Sequence, residues 1–356
     1  MRRIAIIIIL FAASIFCVDA QPKKIEIVDS LLSEMTRQDA FSGAVLVADN
    51  STILLSKGYG YSDRENRIKN TPETRFDIST TSTIFTATAV TYLAQQGKLK
   101  FTDTISKYLK GLPKGNIITI QQILTHSAGF DFFENAKGFN YKKIKSCTDI
   151  IPFMRTLPLL YNPGDSCSYS SGDLIVLGAV IEKISGMNFP EFIETTFAKP
   201  LGLTNTGFTP YFTLDESQRK YSIGYHKTDS GYKKNEYSYD NGFIPLSAGG
   251  DWSCIADLYK FDKAIFSFKL IREDYVKQMT TNYTSQWENT HFGFIWIITH
   301  KKDYSVIGHT GTSSGWNAVN NYYPKQKYTV IILTNLGSVD VDMLTDKIEK
   351  IIFDTN

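Results

Sequence analysis

The sequence predicts an α+β fold in which an antiparallel sheet, built from both chain ends and flanked by helices, carries a largely helical inserted subdomain. Two observations lead to that reading. Strand-like runs cluster near the start and again near the end of the chain, and the stretch between them holds short helical patterns and Gly/Pro/Asn-rich loops without a βαβ rhythm. Residues 25–37 place Ile27, Leu31, Leu32 and Met35 at helical spacing. Residues 43–48 and 52–56 then read as strands, with Asp49-Asn50 between them supplying hairpin-turn chemistry. Residues 83–96 form a helix whose apolar face is Ile84, Phe85, Val90, Leu93 and Ala94 and whose stop is Gly97. Residues 173–185 form another, ended by Gly186. Strands return at 292–299, 304–307, 316–323 and 328–333, and a last amphipathic helix carries Val341, Leu344, Ile348, Ile351 and Ile352. No internal repeat or linker composition divides the chain. The expectation is one domain over residues 21–356, with an α/β part at about 25–85 and 270–356 and a helical and loop insertion at about 100–270.

Composition excludes several classes. With 42% hydrophobic and 21% charged residues among 356, the chain is neither disordered nor fibrous. Its 38 basic and 36 acidic side chains leave a net charge of +2, too small a field to gather nucleic acid, and no basic run interleaves with aromatics. Arg2 and Arg3, the apolar run 4–17 and the small-residue site Val18-Asp19-Ala20 read as a secretory signal cleaved after Ala20, giving a secreted or periplasmic protein. Bulky Phe16 before Cys17 is unlike a lipoprotein signal. No later stretch is long enough to span a bilayer.

Beyond that segment lie Cys147, Cys167 and Cys254, an odd count without C-x-x-C spacing, so neither a disulfide framework nor a zinc site is expected. Buried free thiols are the simpler reading, with a Cys147–Cys167 pair left open. The five histidines show no metal-binding spacing, and no metal or cofactor is expected.

Five strings carry more chemistry. In order they are Phe76-Asp77-Ile78-Ser79-Thr80-Thr81-Ser82-Thr83-Ile84-Phe85-Thr86-Ala87, Leu124-Thr125-His126-Ser127-Ala128-Gly129, Pro163-Gly164 before Tyr169-Ser170-Ser171, Ala248-Gly249-Gly250, and Gly308-His309-Thr310-Gly311. Each alone is weak. Together, over about Phe41 to Phe353, they resemble the β-lactamase-related serine hydrolases, which include class C β-lactamases, penicillin-recognising D-alanyl-D-alanine carboxypeptidases and related esterases. The resemblance implies a β-lactamase/transpeptidase-like fold, with the site between a sheet and a helical region.

It also implies where the chemistry departs. The family uses S-x-x-K at a helix start, because residues three apart share one face, ~5 Å between Cβ atoms, and the lysine amine then reaches the serine hydroxyl. Here Thr80 stands at the nucleophile position and Thr83 at the lysine position. An alcohol near neutral pH needs a neighbouring base or cation to attack, and Thr83 offers only a hydroxyl. Lys98 lies fifteen residues on, just past the stop of that helix and ~22 Å along its axis. The Y-x-N motif appears as Tyr169-Ser170-Ser171, which keeps the tyrosine of the general-base position and puts Ser171 where an asparagine amide holds substrate. The K-T-G or H-T-G strand motif appears as His309-Thr310-Gly311, where glycine suits a close approach of ligand to backbone. By similarity the amides of Thr80 and Thr312 would form the oxyanion hole.

Plainer readings stand beside these. Thr80 and Thr83 suit a helix N-terminus, Tyr169 and His309 could be hydrogen-bonded core residues, and His126 could brace a loop. Trp252 and Trp316 read as core or pocket wall, with Trp316 the better cleft candidate, and the Tyr/Lys-rich stretch 221–239 as a solvated loop. Gly311-Thr312-Ser313-Ser314-Gly315 fits the G-x-S-x-G nucleophile elbow, but a strand-like pattern follows where a helix is required. The leading expectation is a protein of this family with lost or strongly attenuated covalent chemistry, binding a peptidoglycan fragment, small peptide or ester in the retained cleft. Two others stay open: a slow esterase, amidase or carboxypeptidase in which Thr80 works with Tyr169 and His309, and a non-catalytic interaction scaffold.

Overall fold

The computed structural model describes residues 21–353 apart from 51, 209–219, 230 and 236–245. The expected signal segment lies outside the described residues. One sheet of eight strands organises the chain: β1 (Gly43–Asp49), β2 (Thr52–Tyr59), β3 (Thr284–Trp287), β4 (Thr290–Phe292), β5 (Ile297–His300), β6 (Ser305–Ser313), β7 (Trp316–Tyr323) and β8 (Tyr328–Thr334). Their spatial order is β2-β1-β8-β7-β6-β5-β4-β3, antiparallel at every pairing. The two ends of the chain meet where β1 pairs with β8, Gly43 opposite Thr334 and Asp49 opposite Tyr328. The antiparallel sheet expected from both ends is therefore present.

Helices cover both faces, and the period-two alternation of the central strands sorts side chains between two cores. Ala44, Leu46, Ala48, Ile331 and Leu333 enter one core, whereas Val45, Val47, Val330 and Ile332 enter the other. The second is closed by α1 (residues 21–37), through Val28 and Leu32, and by α5 (Val341–Phe353), through Leu344, Ile348 and Ile352. The first and larger core holds α2 (Thr83–Gln95), α3 (Ser171–Ser185) and α4 (Ile255–Phe266).

α2 is buried almost all round rather than on one apolar face. Its threonines tolerate this because their hydroxyls find carbonyls: Thr86 donates to Ser247 O at 2.8 Å, Thr88 to Ile84 O at 2.7 Å and Thr91 to Ala87 O at 2.8 Å. α3 starts at Ser170, whose Oγ accepts from the Gly172 amide, and stops at Gly186 in the left-handed region (φ 74°). The single strand expected over 292–299 is instead two, β4 and β5. Between them Phe294, Ile295 and Trp296 are fully buried, and the amides of Phe294 and Ile295 donate to Met279 O and Leu124 O rather than to the sheet. Among the described residues no helix is long and apolar enough to cross a membrane.

Candidate active site

The turn before α2 is a short 3₁₀ segment, Ser79–Ser82, lying against β6. Ser79 sits at φ 47°, held there by its amide to Asp77 Oδ1 (2.7 Å) and its hydroxyl to Thr312 O (2.8 Å). That bend sets Thr80 beside β6, where its hydroxyl donates to Thr310 O at 3.1 Å. The contact needs a residue without a side chain at 311: a Cβ there would stand 2.4 Å from Ile78 O and 2.8 Å from Thr81 N. The close approach expected of a ligand at Gly311 is made by the chain's own turn.

Thr83 is buried one step further on. Its Oγ1 lies 2.7 Å from Thr80 O and 3.2 Å from His309 Nε2, while His309 Nδ1 lies 2.7 Å from Thr310 O. Burial pulls the His309 imidazole down to about 4, so it is neutral near pH 7. A neutral ring donating from Nδ1 to Thr310 leaves Nε2 as an acceptor facing Thr83, and the single hydroxyl proton serves either Nε2 or Thr80 O. An uncharged hydroxyl–imidazole pair thus stands at Thr83.

Tyr169 precedes α3, and its hydroxyl has no hydrogen-bond partner among the described residues. Its ring centroid is 5.1 Å from that of His126 and 6.4 Å from that of Phe132. Burial, and then the charges of Glu134 and Asp173, push the phenol above its ordinary value. Each of these influences opposes the tyrosinate that a general base would need. Ser171, expected at a substrate-holding position, instead donates to Glu134 Oε2 at 2.9 Å, and Tyr141 donates to Glu134 Oε1 at 3.2 Å.

Behind Tyr169 lies a second pair. His126 Nδ1 is 3.0 Å from Asp173 Oδ2 with both side chains buried. Burial disfavours charge on each, lowering His126 to about 3 and raising Asp173 well above the carboxylate range. His126 sits at φ 53°, and its carbonyl accepts from Ser168 N (3.0 Å) and Tyr161 Oη (2.8 Å), the loop-bracing role expected of it.

These elements surround a cavity of about 380 Å³. Thr80, Tyr169, Ser171 and Thr312 line it, whereas Thr83, His309, Thr310 and Gly311 do not. Its carboxylates are Asp77 and Glu134, and no lysine or arginine is among its described lining residues. Trp316 forms part of the wall and donates from Nε1 to Ser222 Oγ at 2.9 Å.

The Beta-lactamase family model matches residues 28–351. The chain belongs to the Beta-lactamase family. It is 27% identical over 323 residues to the putative penicillin-binding protein PbpX of Bacillus subtilis, covering 90% of this chain and 78% of that protein. Protein flp of Staphylococcus aureus is 24% identical over 90% of this chain, which spans 64% of that longer protein. Among solved structures, a penicillin-binding protein from Bacillus halodurans superposes with a TM-score of 0.80 at 26% identity, over 89% of this chain and 98% of that one. D-amino acid amidase from Ochrobactrum anthropi SV3, complexed with L-phenylalanine amide, shares the fold with a TM-score of 0.78 at 17% identity, over 92% and 98% of the two chains.

Glu134 is an acidic cavity residue that sequence reading missed. It lies five residues past the Leu124–Gly129 string, and no motif spacing points to it. The G-x-S-x-G match resolves as the β6–β7 hairpin: Gly315 has φ 91°, β7 follows at once, and Ser313 donates to Asp77 Oδ2 at 3.0 Å. Cys147 and Cys167 are free thiols, the first 3.2 Å from Ser247 Oγ and the second 3.2 Å from Thr284 Oγ1. The stretch starting at 221 is not the solvated loop expected. Tyr221 packs edge-on against Trp252 at 4.7 Å, and buried Tyr225 opens the small hairpin Tyr225–Thr228 and Gly231–Lys234, while 236–239 lie outside the described residues.

Proposed function

We propose that this chain is a secreted or periplasmic member of the family whose covalent chemistry is lost or strongly attenuated, and whose cleft binds a small peptide, peptidoglycan fragment or ester. The observation that carries this reading is Thr83 in place of the lysine, its hydroxyl held by Thr80 O and His309. No lysine or arginine is among the described lining residues to stabilise an ionised Thr80 or Tyr169, and the Thr80 hydroxyl rests on a backbone carbonyl rather than on a base. Removing a nucleophile or its activator from such machinery costs on the order of 10⁴ to 10⁶ in rate. In this reading Thr80 and Tyr169 keep the places of nucleophile and general base, and Ser171 and Thr312 border the ligand.

Intact-protein mass spectrometry after exposure to a fluorophosphonate tests the reading. The expected result is no adduct on the natural protein and one adduct on the Thr80→Ser, Thr83→Lys variant, because restoring nucleophile and amine completes the pair. An adduct on the natural protein that disappears in Thr80→Ala overturns it in favour of a threonine hydrolase.

A further inference from the structure

We propose that a second cavity, at the far end of the sheet from Thr80, binds a flat aromatic heterocycle that carries a ring N–H and an anionic side group. The cavity holds about 490 Å³ and shares no described lining residue with the cleft. Three adjacent strands build its floor, since Ile307 of β6, Tyr322 of β7 and Thr329 of β8 stand side by side in register. Ile307 precedes Thr312 by five residues on one strand, which separates this floor from the cleft by ~16 Å. Over it α4 places Asp262, Lys263 and Phe266. Asp262 is 1% exposed and is the one carboxylate among the described lining residues. Its Oδ1 accepts from Asn320 Nδ2 at 3.0 Å, whereas Oδ2 is buried with no hydrogen-bond partner among the described residues. Leaving a buried acceptor unpaired is unfavourable, and a ligand N–H at Oδ2 removes the deficit. Burial raises this carboxyl to about 7, the Asn320 hydrogen bond opposing the rise, so at pH 8 it is mainly ionised and can only accept.

The walls and rim define the rest of the ligand. The rings of Phe266 and Tyr322 lie stacked, 4.0 Å between centroids and 12° between planes, and with Val276 and Ile307 they give a flat apolar surface beside the carboxylate. Lys263, Lys277 and Lys327 also line the cavity, each with an exposed side chain. Lys277 pairs with Glu273 at 3.1 Å, whereas Lys263 and Lys327 have no ion-pair partner among the described residues. An anionic group at the mouth meets these two charges while a ring N–H directed inward meets Asp262. A cationic ligand is opposed by the lysines, and an anion without a donor leaves Oδ2 unpaired, so the two features are needed together.

Isothermal titration at pH 8 tests this with three probes of one shape. Indole-3-acetate carries both features, benzofuran-3-acetate replaces the N–H by an oxygen, and indole-3-acetamide replaces the carboxylate by a neutral amide. Indole-3-acetate is expected to bind at least about tenfold more tightly than benzofuran-3-acetate, and several-fold more tightly than the amide. Asp262→Asn is expected to remove the preference for the N–H, because its oxygen stays with Asn320 Nδ2 and its own amide donor then faces the ligand. Lys263→Gln combined with Lys327→Gln is expected to bring indole-3-acetate down to the affinity of the amide while the N–H preference survives. Both lysines are exposed, so this double variant keeps the test decisive where Asp262→Asn does not fold. No binding of indole-3-acetate, equal or tighter binding of benzofuran-3-acetate, an undiminished N–H preference in folded Asp262→Asn, or an undiminished preference for the anion in the double variant overturns the proposal.

Discussion

The Thr83 hydroxyl stands 3.2 Å from Nε2 of His309, a residue 226 positions later in the chain. In S-x-x-K chemistry this locus carries an amine that serves the nucleophile. Here α2 and β6 are joined at the same locus by a neutral pair, and His309 gives its other nitrogen to the Thr310 carbonyl, the same carbonyl that receives the Thr80 hydroxyl. The hydrogen bonding that in an enzyme would link nucleophile to base therefore ties helix to strand. If that is the role of the pair, its removal should affect stability before it affects any reaction.

Thr83→Val tests this by deleting the hydroxyl at nearly constant shape. It removes the one hydroxyl proton that Thr80 O and His309 Nε2 share in a buried place, so chemical denaturation should report a loss of about 1–3 kcal/mol. Fluorophosphonate labelling should stay at the level of the natural protein. A stable variant with altered reactivity would contradict the structural role.

His309 also gives the stability a pH dependence of known sign. Burial lowers the folded imidazole from its ordinary 6.5 to about 4, so between those values the unfolded chain takes up a proton that the folded chain does not. The neutral ring's contribution is complete above pH 6.5 and falls away as the pH drops toward 4, by up to about 1.4 kcal/mol per unit for one group. Comparison with His309→Gln, which cannot titrate, isolates this from His126 and the buried carboxyls. The stability advantage of the natural protein over the variant should shrink steadily from pH 7 to pH 4.5 in urea titrations. An advantage independent of pH would mean that the ring titrates alike in the folded and the unfolded chain.

Gly311→Ala tests the packing of the Ser79–Ser82 turn on β6. The added methyl meets Ile78 O at 2.4 Å and Thr81 N at 2.8 Å, both backbone atoms that a rotamer change cannot move. Overpacking of this kind costs typically 1–3 kcal/mol and more where backbone must shift, so a fall in Tm of several degrees is expected. Unchanged thermal unfolding would show that the turn and strand can separate freely.

Much of this arrangement was legible beforehand because it rests on local signals. The strand-like runs at 43–48 and 328–333 marked β1 and β8, and the Thr80-to-Thr83 spacing placed both residues on one face of a helix start. What stayed hidden depends on partners distant in sequence. Burial of the whole circumference of α2, despite its threonines, follows from the carbonyls available to their hydroxyls. The break between β4 and β5 follows from Met279 and Leu124 taking the backbone amides of Phe294 and Ile295. Glu134 carries no spacing signal because its cavity position is set by Ser171 and Tyr141, reached through a loop rather than a periodic element.

Tyr169→Phe separates the chemistry of the phenol from its packing. The ring is packed against His126 and Phe132, and the substitution preserves those contacts. Its hydroxyl has no protein partner among the described residues, so its removal should change unfolding free energy by no more than about 0.5 kcal/mol. Burial first, and then the neighbouring acidic groups Glu134 and Asp173, raise the phenol above its ordinary value, so it stays protonated at neutral pH. The variant should then leave the ester hydrolysis rate at the level of the natural protein. A hydrolytic rate that is measurable in the natural protein and abolished by this one oxygen would instead identify Tyr169 as the working base, despite the charges that oppose its ionisation.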